Sequence, residues 1–316
     1  MSSPAERDAG PRGPQEHRCS ALSVKRGESM LGTGFADSGV LLVEQPGPWG
    51  HAGLRESQFA REVAVALEAR AAAAGLKLLV IRRPGREVWE GRRRWAVRPA
   101  GSSEVYWSTY LADAELLTVP LDSSVGAPEA EPLYLVCTHA KRDQCCAVFG
   151  RAVALALNER RPGRVWGCSH TGGHRFAPVV LTLPNGALYG RVTDDVLDEL
   201  VAATDRGDLL VDHLRGELGF APPVQAALAR ARQELGLPRS DALSVTEVLA
   251  DGPTTRVTLI KTAAASPGRQ PPVDQRWEVI VEARREELTY VSCGKPDSKP
   301  ETQYVPVSVR SVPGSP

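Results

Sequence analysis

The chain has no surplus of charge of either sign, with 38 Lys plus Arg against 38 Asp plus Glu among 316 residues. A dedicated nucleic-acid binder carries a basic excess, so a nucleic-acid partner is not expected. No apolar run reaches the ~18 residues that a membrane helix needs, and no membrane partner is expected either. A basic-then-apolar leader is missing at the N-terminus, and Glu6, Asp8 and Glu16 argue against an organelle transit segment. The expected setting is therefore cytoplasmic, in a bacterial-type protein. Lysine is scarce, six against 32 arginines, but the scarcity is too global to mark a site and fits GC-rich coding. Without a secretory leader the six cysteines are not expected to form a disulfide framework.

What is present is concentrated. Of Cys19, Cys137, Cys145, Cys146, Cys168 and Cys293, four fall between Cys137 and Cys168, together with His139, His170 and His174. The stretch from Cys137 to His174 thus holds half of the six histidines. Thiols and imidazoles gathered on an intracellular chain point to a metal or redox site.

Around this stretch the chain divides into four parts. Residues 1–36 are rich in Gly, Ser, Pro and charge without hydrophobic period, and are expected as a flexible tail. Residues 37–120 read as strand, helix, strand, loop, strand, strand and a short helical turn, with strands at 40–45, 76–81, 94–98 and 105–110 and the long helix at 58–74. After a linker at 121–130 the same order returns over 131–206. Strands are expected at 133–137, 164–168, 179–183 and 187–192, and helices at 147–160 and 194–204. Pro184-Asn185-Gly186 marks the hairpin, because Asn-Gly tolerates the positive φ of a tight turn. Offsets of 88 and 85 residues between corresponding strands predict two copies of one α/β unit, each thioredoxin-like. Residues 207–312 form a small α+β region, with a helix at 223–235 and strands at 244–249, 256–262, 276–282, 288–292 and 304–309.

The second copy carries the chemistry. Cys137-Thr-His-Ala-Lys-Arg-Asp-Gln-Cys-Cys146 leaves a strand and enters a helix, whose N-terminus favours a thiolate at Cys146. His170-Thr-Gly-Gly-His174 adds two imidazoles; two adjacent glycines cost about 1 kcal/mol each in a helix, so a loop is expected. Both segments follow parallel strands, where βαβ units place ligands. Two thiolates and two imidazoles suit zinc or a binuclear 2Fe-2S cluster. Eight residues between the cysteines exceed a zinc knuckle, whereas two His on one iron and two Cys on the other would be Rieske-like. A rival pairing takes Cys137-x-His139 and Cys168-x-His170, two short Cys-x-His pairs.

Leu-Tyr-Leu-Val-Cys137-Thr-His-Ala-Lys-Arg-Asp, Cys168-Ser-His170-Thr-Gly-Gly-His174-Arg-Phe-Ala and Leu-Tyr-Gly-Arg-Val resemble the sucrase/ferredoxin-like family. The resemblance is dense over 132–192 and thinner over 40–120, where it rests on Pro46-Gly-Pro-Trp-Gly and Arg83-Pro-Gly-Arg86. It implies a thioredoxin-like ferredoxin whose 2Fe-2S cluster is bound by Cys137, Cys146, His170 and His174. Around these ligands it leaves His139, Cys145, Cys168, Gly172 and Gly173. Many relatives carry Arg-Cys-Gly at the second cysteine where this chain has Gln144-Cys145-Cys146-Ala147, so Cys145 stands as an alternative ligand to Cys146.

The expected function is electron transfer to an unidentified redox partner protein, rather than stand-alone catalysis. The alternatives are a structural zinc-binding adaptor and a metal-free thiol redox enzyme. Sugar hydrolysis, despite the family name, needs two carboxylates facing across a cleft, and Asp194-Asp195 reads instead as a helix cap. Trp49 reads as a packing anchor, and Cys293 is assigned no role.

Overall fold

The computed structural model describes residues 18–85, 91–129, 131–262, 275–288, 291–293 and 299–313. The strongest apolar runs become strands buried along their whole length, as in β1 (Gly39–Glu44) and β5 (Leu133–Cys137). Such runs, without polar alternation, suit strands covered on both faces. In the first half β1 is followed by α2 (Arg61–Ala73), β2 (Leu76–Arg82), β3 (Arg93–Arg98) and β4 (Tyr106–Tyr110). β1 pairs parallel with β2 and antiparallel with β3, which pairs antiparallel with β4.

The second half repeats this. β5 leads into α3 (Arg151–Arg160), β6 (Val165–Cys168), β7 (Val180–Leu183), β8 (Ala187–Tyr189) and α4 (Leu197–Asp205). β5 pairs parallel with β6 and antiparallel with β7, and β7 antiparallel with β8. The recurrence of element order is therefore matched by a recurrence of strand pairing. Gly186, at φ +72°, sits in the hairpin turn expected between β7 and β8.

Both halves belong to one nine-stranded sheet, in the order β4-β3-β1-β2-β6-β5-β7-β8-β9, where β9 is Leu214–Glu217. Their seam is short and antiparallel, with Ile81 opposite Cys168 and Arg82 opposite Gly167. Ser169 extends it: its N–H donates to the Val80 carbonyl (2.8 Å) and its Oγ accepts from the Val80 N–H (3.0 Å). Only the C-terminal ends of β2 and β6 overlap, so loops following the parallel strands of both halves converge there. A shared apolar core spans the seam through Leu79, Ile81, Leu135, Cys137, Trp166 and Cys168.

Residues 207–312 are less separate than the sequence predicts. β9 (Leu214–Glu217) closes the nine-stranded sheet beside β8. α5 (Pro222–Leu235) contacts β9 on one side and the second sheet on the other. That sheet is antiparallel, β10 (Leu243–Asp251), β11 (Thr254–Lys261), β12 (Arg276–Leu288) and β13 (Lys299–Val312). The separate strand expected at 288–292 is absent among the described residues, since β12 itself ends at Leu288.

Residues 18–36 also differ from the expected tail; residues 1–17 lie outside the described set. Cys19–Lys25 form α1, with Cys19, Ser20 and Ser23 buried. No hydrophobic period announces this helix, because arginines of the second half hold the segment. Arg191 donates to Ser23 Oγ (3.0 Å) and the Glu28 carbonyl (2.8 Å). Arg175 pairs with the buried Glu28 carboxylate at 2.6 Å, and Arg215 donates to Thr33 Oγ1 at 3.0 Å.

The start of the second helix approaches the end of β5 very closely. A Cβ at Gly150 would run into the Cys137 carbonyl oxygen, and that backbone belongs to a fully paired strand. Gly150→Ala should therefore lower stability by about 1–3 kcal/mol, the usual range for overpacking, read from the urea midpoint. An unchanged midpoint would show that the helix shifts freely away from β5.

Candidate metal centre

The site is built from two loops at the seam. β5 ends on Cys137, and Cys146 opens a five-residue π-turn, Cys146–Gly150, that runs into α3. Isolated π-turns recur at functional sites because they re-aim side chains within a helix. β6 ends on Cys168, and the loop beyond carries His170 and His174. That segment is a loop, as its glycines require: Gly172 and Gly173 have φ of +82° and +63°. A Cβ on Gly173 would also strike the Arg215 guanidinium.

The ligand atoms of Cys137, Cys146 and His170 lie within 4.8 Å of one another. Cys137 Sγ is 4.0 Å from His170 Nδ1. His174 stands beside this trio, its ring stacked on that of His170 with centroids 5.0 Å apart. Its Nε2 lies 3.7 Å from Asp143 Oδ2. With the proton on Nε2, which faces that carboxylate, the Nδ1 lone pair is an acceptor. That Nδ1 is buried and has no hydrogen-bond partner among the described residues. An unpaired lone pair is costly to bury, and beside two thiols and a second imidazole it fits a metal ligand. Burial is the main reason that His174 is held below the usual histidine range, hence neutral, the form that ligates.

The two cysteines divide a single negative charge. The Cys146 thiol donates toward Cys137, which lowers Cys137 well below the ordinary thiol range, with His170 adding to the effect. The same contact raises Cys146. Cys146 and Cys145 point apart. Cys146 joins Cys137 and His170, whereas Cys145 Sγ lies 3.5 Å from Cys19 and 3.3 Å from Cys293. Hydrogen bonds from Cys19, Cys293 and Ser20 pull Cys145 down to about 3.

The other residues expected around the ligands have separate tasks. His139 is buried, its Nε2 2.7 Å from the Gly50 carbonyl and its Nδ1 3.2 Å from the His170 N–H. A carbonyl only accepts and an amide only donates, so Nε2 carries the proton and neither nitrogen is left for a metal. Cys168 is fully buried opposite Cys137, and burial pushes its thiol up, so it remains a protonated core residue. The Cys-x-His pairing is not assembled. Trp49 packs edge-on against His139 with centroids 5.9 Å apart, as a packing anchor should. The first half thereby contributes its Gln45–Gly50 loop as support.

Arg215 gave no signal in the sequence, since it stands alone in a strand remote from both motifs. It is fully buried beneath the Gly-Gly loop and donates to the Gly172 carbonyl at 3.1 Å. Desolvation, with Arg175 adding, lowers it to about 9, and Cys137 and Cys146 oppose that shift. Arg175, Arg191 and Arg215 surround the Phe176 ring at 4.6, 5.6 and 5.2 Å. A buried cation against two sulfur ligands offsets part of their negative charge.

The family model described as sucrase/ferredoxin-like matches residues 41–216, a span that takes in both halves and every residue of the site. The chain belongs to the sucrase/ferredoxin-like family. A curated protein from Candida glabrata, named altered inheritance of mitochondria protein 32, is 27% identical over 147 residues, 40% of this chain. The chain spans about half of that protein, 47% of its length. No solved structure matches this family member significantly. Among its described residues no helix is long and apolar enough to cross a membrane.

His139 should be a positioning residue in this family member. His139→Leu leaves the Gly50 carbonyl and the His170 N–H without their partner, costing about 2–4 kcal/mol in urea unfolding. His139→Gln, which keeps a donor and an acceptor, should lose less. Equal stability of the Leu variant and wild type would remove the role.

Proposed function

We propose that this chain is an iron–sulfur electron-transfer protein, binding a 2Fe-2S cluster through Cys137, Cys146, His170 and His174. The observation that carries the reading is the buried, unpartnered Nδ1 of His174 beside the Cys137, Cys146 and His170 ligand atoms. The family membership and the repeated strand order support it, each half being arranged as a thioredoxin-like unit is. When bound, such a cluster supplies reversible one-electron transfer, with imidazole ligation raising its potential above that of an all-cysteine site. The chain's own residues hold the two imidazoles. His139 orients the His170 backbone, Asp143 faces the His174 ring at Nε2, and Arg215 offsets thiolate charge. The histidines are the half-buried part of the site and line open clefts, a suitable approach for an unidentified redox partner protein in the cytoplasm.

A structural zinc site is the second reading, because Cys137, Cys146 and His170 are close enough to share one tetrahedral ion. Chemical analysis separates the two. The full chain, expressed with ample iron and purified anaerobically, should contain about two irons and two acid-labile sulfides. Zinc in that site without sulfide would overturn the electron-transfer reading. His170→Cys and His174→Cys should each retain iron but lower the reduction potential, since an anionic thiolate replaces a neutral imidazole. Potentials equal to wild type in both variants would refute histidine ligation.

A further inference from the structure

A second group of possible ligands lies outside the site just described. Cys19 from α1, Asp143 and Cys145 from the loop after β5, and Cys293 from the segment beyond β12 have ligand atoms all within 4.8 Å of one another. The three sulfurs form a triangle, Cys19–Cys145 at 3.5 Å, Cys145–Cys293 at 3.3 Å and Cys293–Cys19 at 3.6 Å. All three are free thiols. From a Zn–S bond of about 2.3 Å, a tetrahedral ion holds its sulfurs roughly 3.8 Å apart, so the triangle needs to open by only a few tenths of an ångström. A multinuclear cluster places its thiolates on different irons, farther apart than this.

The fourth corner is Asp143. Its side chain is fully buried, and Oδ1 lies 3.7 Å from Cys19 Sγ. Oδ2 accepts from Ser292 Oγ (3.0 Å) and the Cys293 N–H (2.9 Å), while Oδ1 accepts from the Cys145 N–H (2.8 Å) and from the Cys19 thiol. A metal ion that displaces the Cys19 thiol proton would take over that second lone pair of Oδ1. Three thiols used merely as small apolar filler would not be packed around a buried carboxylate, which costs free energy unless paired. A disulfide between any two would leave the third thiol and the carboxylate unexplained.

We propose that Cys19, Cys145, Cys293 and Asp143 form a second metal site, a closed structural site for a zinc-type divalent cation. The ion would tie together the N-terminal helix, the ligand-bearing loop and the C-terminal region, three segments up to 274 residues apart. It does not depend on the 2Fe-2S reading, although Asp143 reaches both centres.

The test measures zinc, iron and sulfide per chain in the full-length protein, expressed with both metals and purified anaerobically with a reductant. Wild type should hold about one zinc at this site. Cys19→Ser and Cys293→Ser should each lower zinc at least about fivefold while leaving iron and sulfide unchanged, and Cys137→Ser should leave this zinc in place. Should Cys19→Ser fail to fold, Cys293→Ser, a partly exposed position, decides. Protein grown with cobalt in place of zinc should show a thiolate-to-cobalt absorption band that is lost in the same variants. Wild type without zinc, or zinc that follows Cys137 instead of Cys19 and Cys293, overturns the proposal. Zinc here with no iron leaves this site standing and removes the electron-transfer reading; iron and sulfide with no zinc do the reverse.

Discussion

The two-residue antiparallel seam between β2 and β6 is the constraint on which the other features rest. A parallel βαβ half has one productive end, where its loops can gather polar groups. Joining two halves through the C-terminal ends of their second strands brings both productive ends to one place. His139 can then reach the Gly50 carbonyl across the seam, and Trp49 can pack against His139. The half that carries no ligand thus supplies a fixed wall for the half that does. Without the seam His139 would lose its acceptor, and nothing would set the orientation of the His170 backbone.

The second organising theme is the treatment of buried charge. Cys137, Cys145 and Asp143 bring negative charge into a site with little access to water. The chain answers with guanidinium groups around Phe176 and with hydrogen bonds to every oxygen of Asp143. These arginines have a double use, since Arg175, Arg191 and Arg215 also hold residues 23–33 in place. Charge compensation and ordering of the N-terminal segment are therefore one network. This explains how a segment with almost no hydrophobic pattern is packed against the core.

The repeated unit was legible in the sequence because strand and helix periods are local properties, and both copies display them. The grouping of Cys137, Cys146 and His170, with His174 stacked beside them, was legible for the same reason, since each motif lies within one loop. The seam left no trace, since pairing between two strand ends does not alter the apolar pattern of either. Arg215 looked like any surface arginine until β9 was seen to run beneath the Gly172-Gly173 loop. No role was legible for Cys19 or Cys293, because their meeting depends on chain closure over hundreds of residues.

His170 lines one open cleft, of about 580 Å³, and His174 lines another, of about 780 Å³. His51 and Arg142, joined at 3.2 Å, border both and form the partition between them. On the electron-transfer reading, this bears on the order of encounters. Two molecules can be seated at once, one against each imidazole, and neither has to leave before the other arrives. Such a carrier works as a fixed junction within a ternary complex, where a site with a single mouth must act as a shuttle that meets its partners in turn.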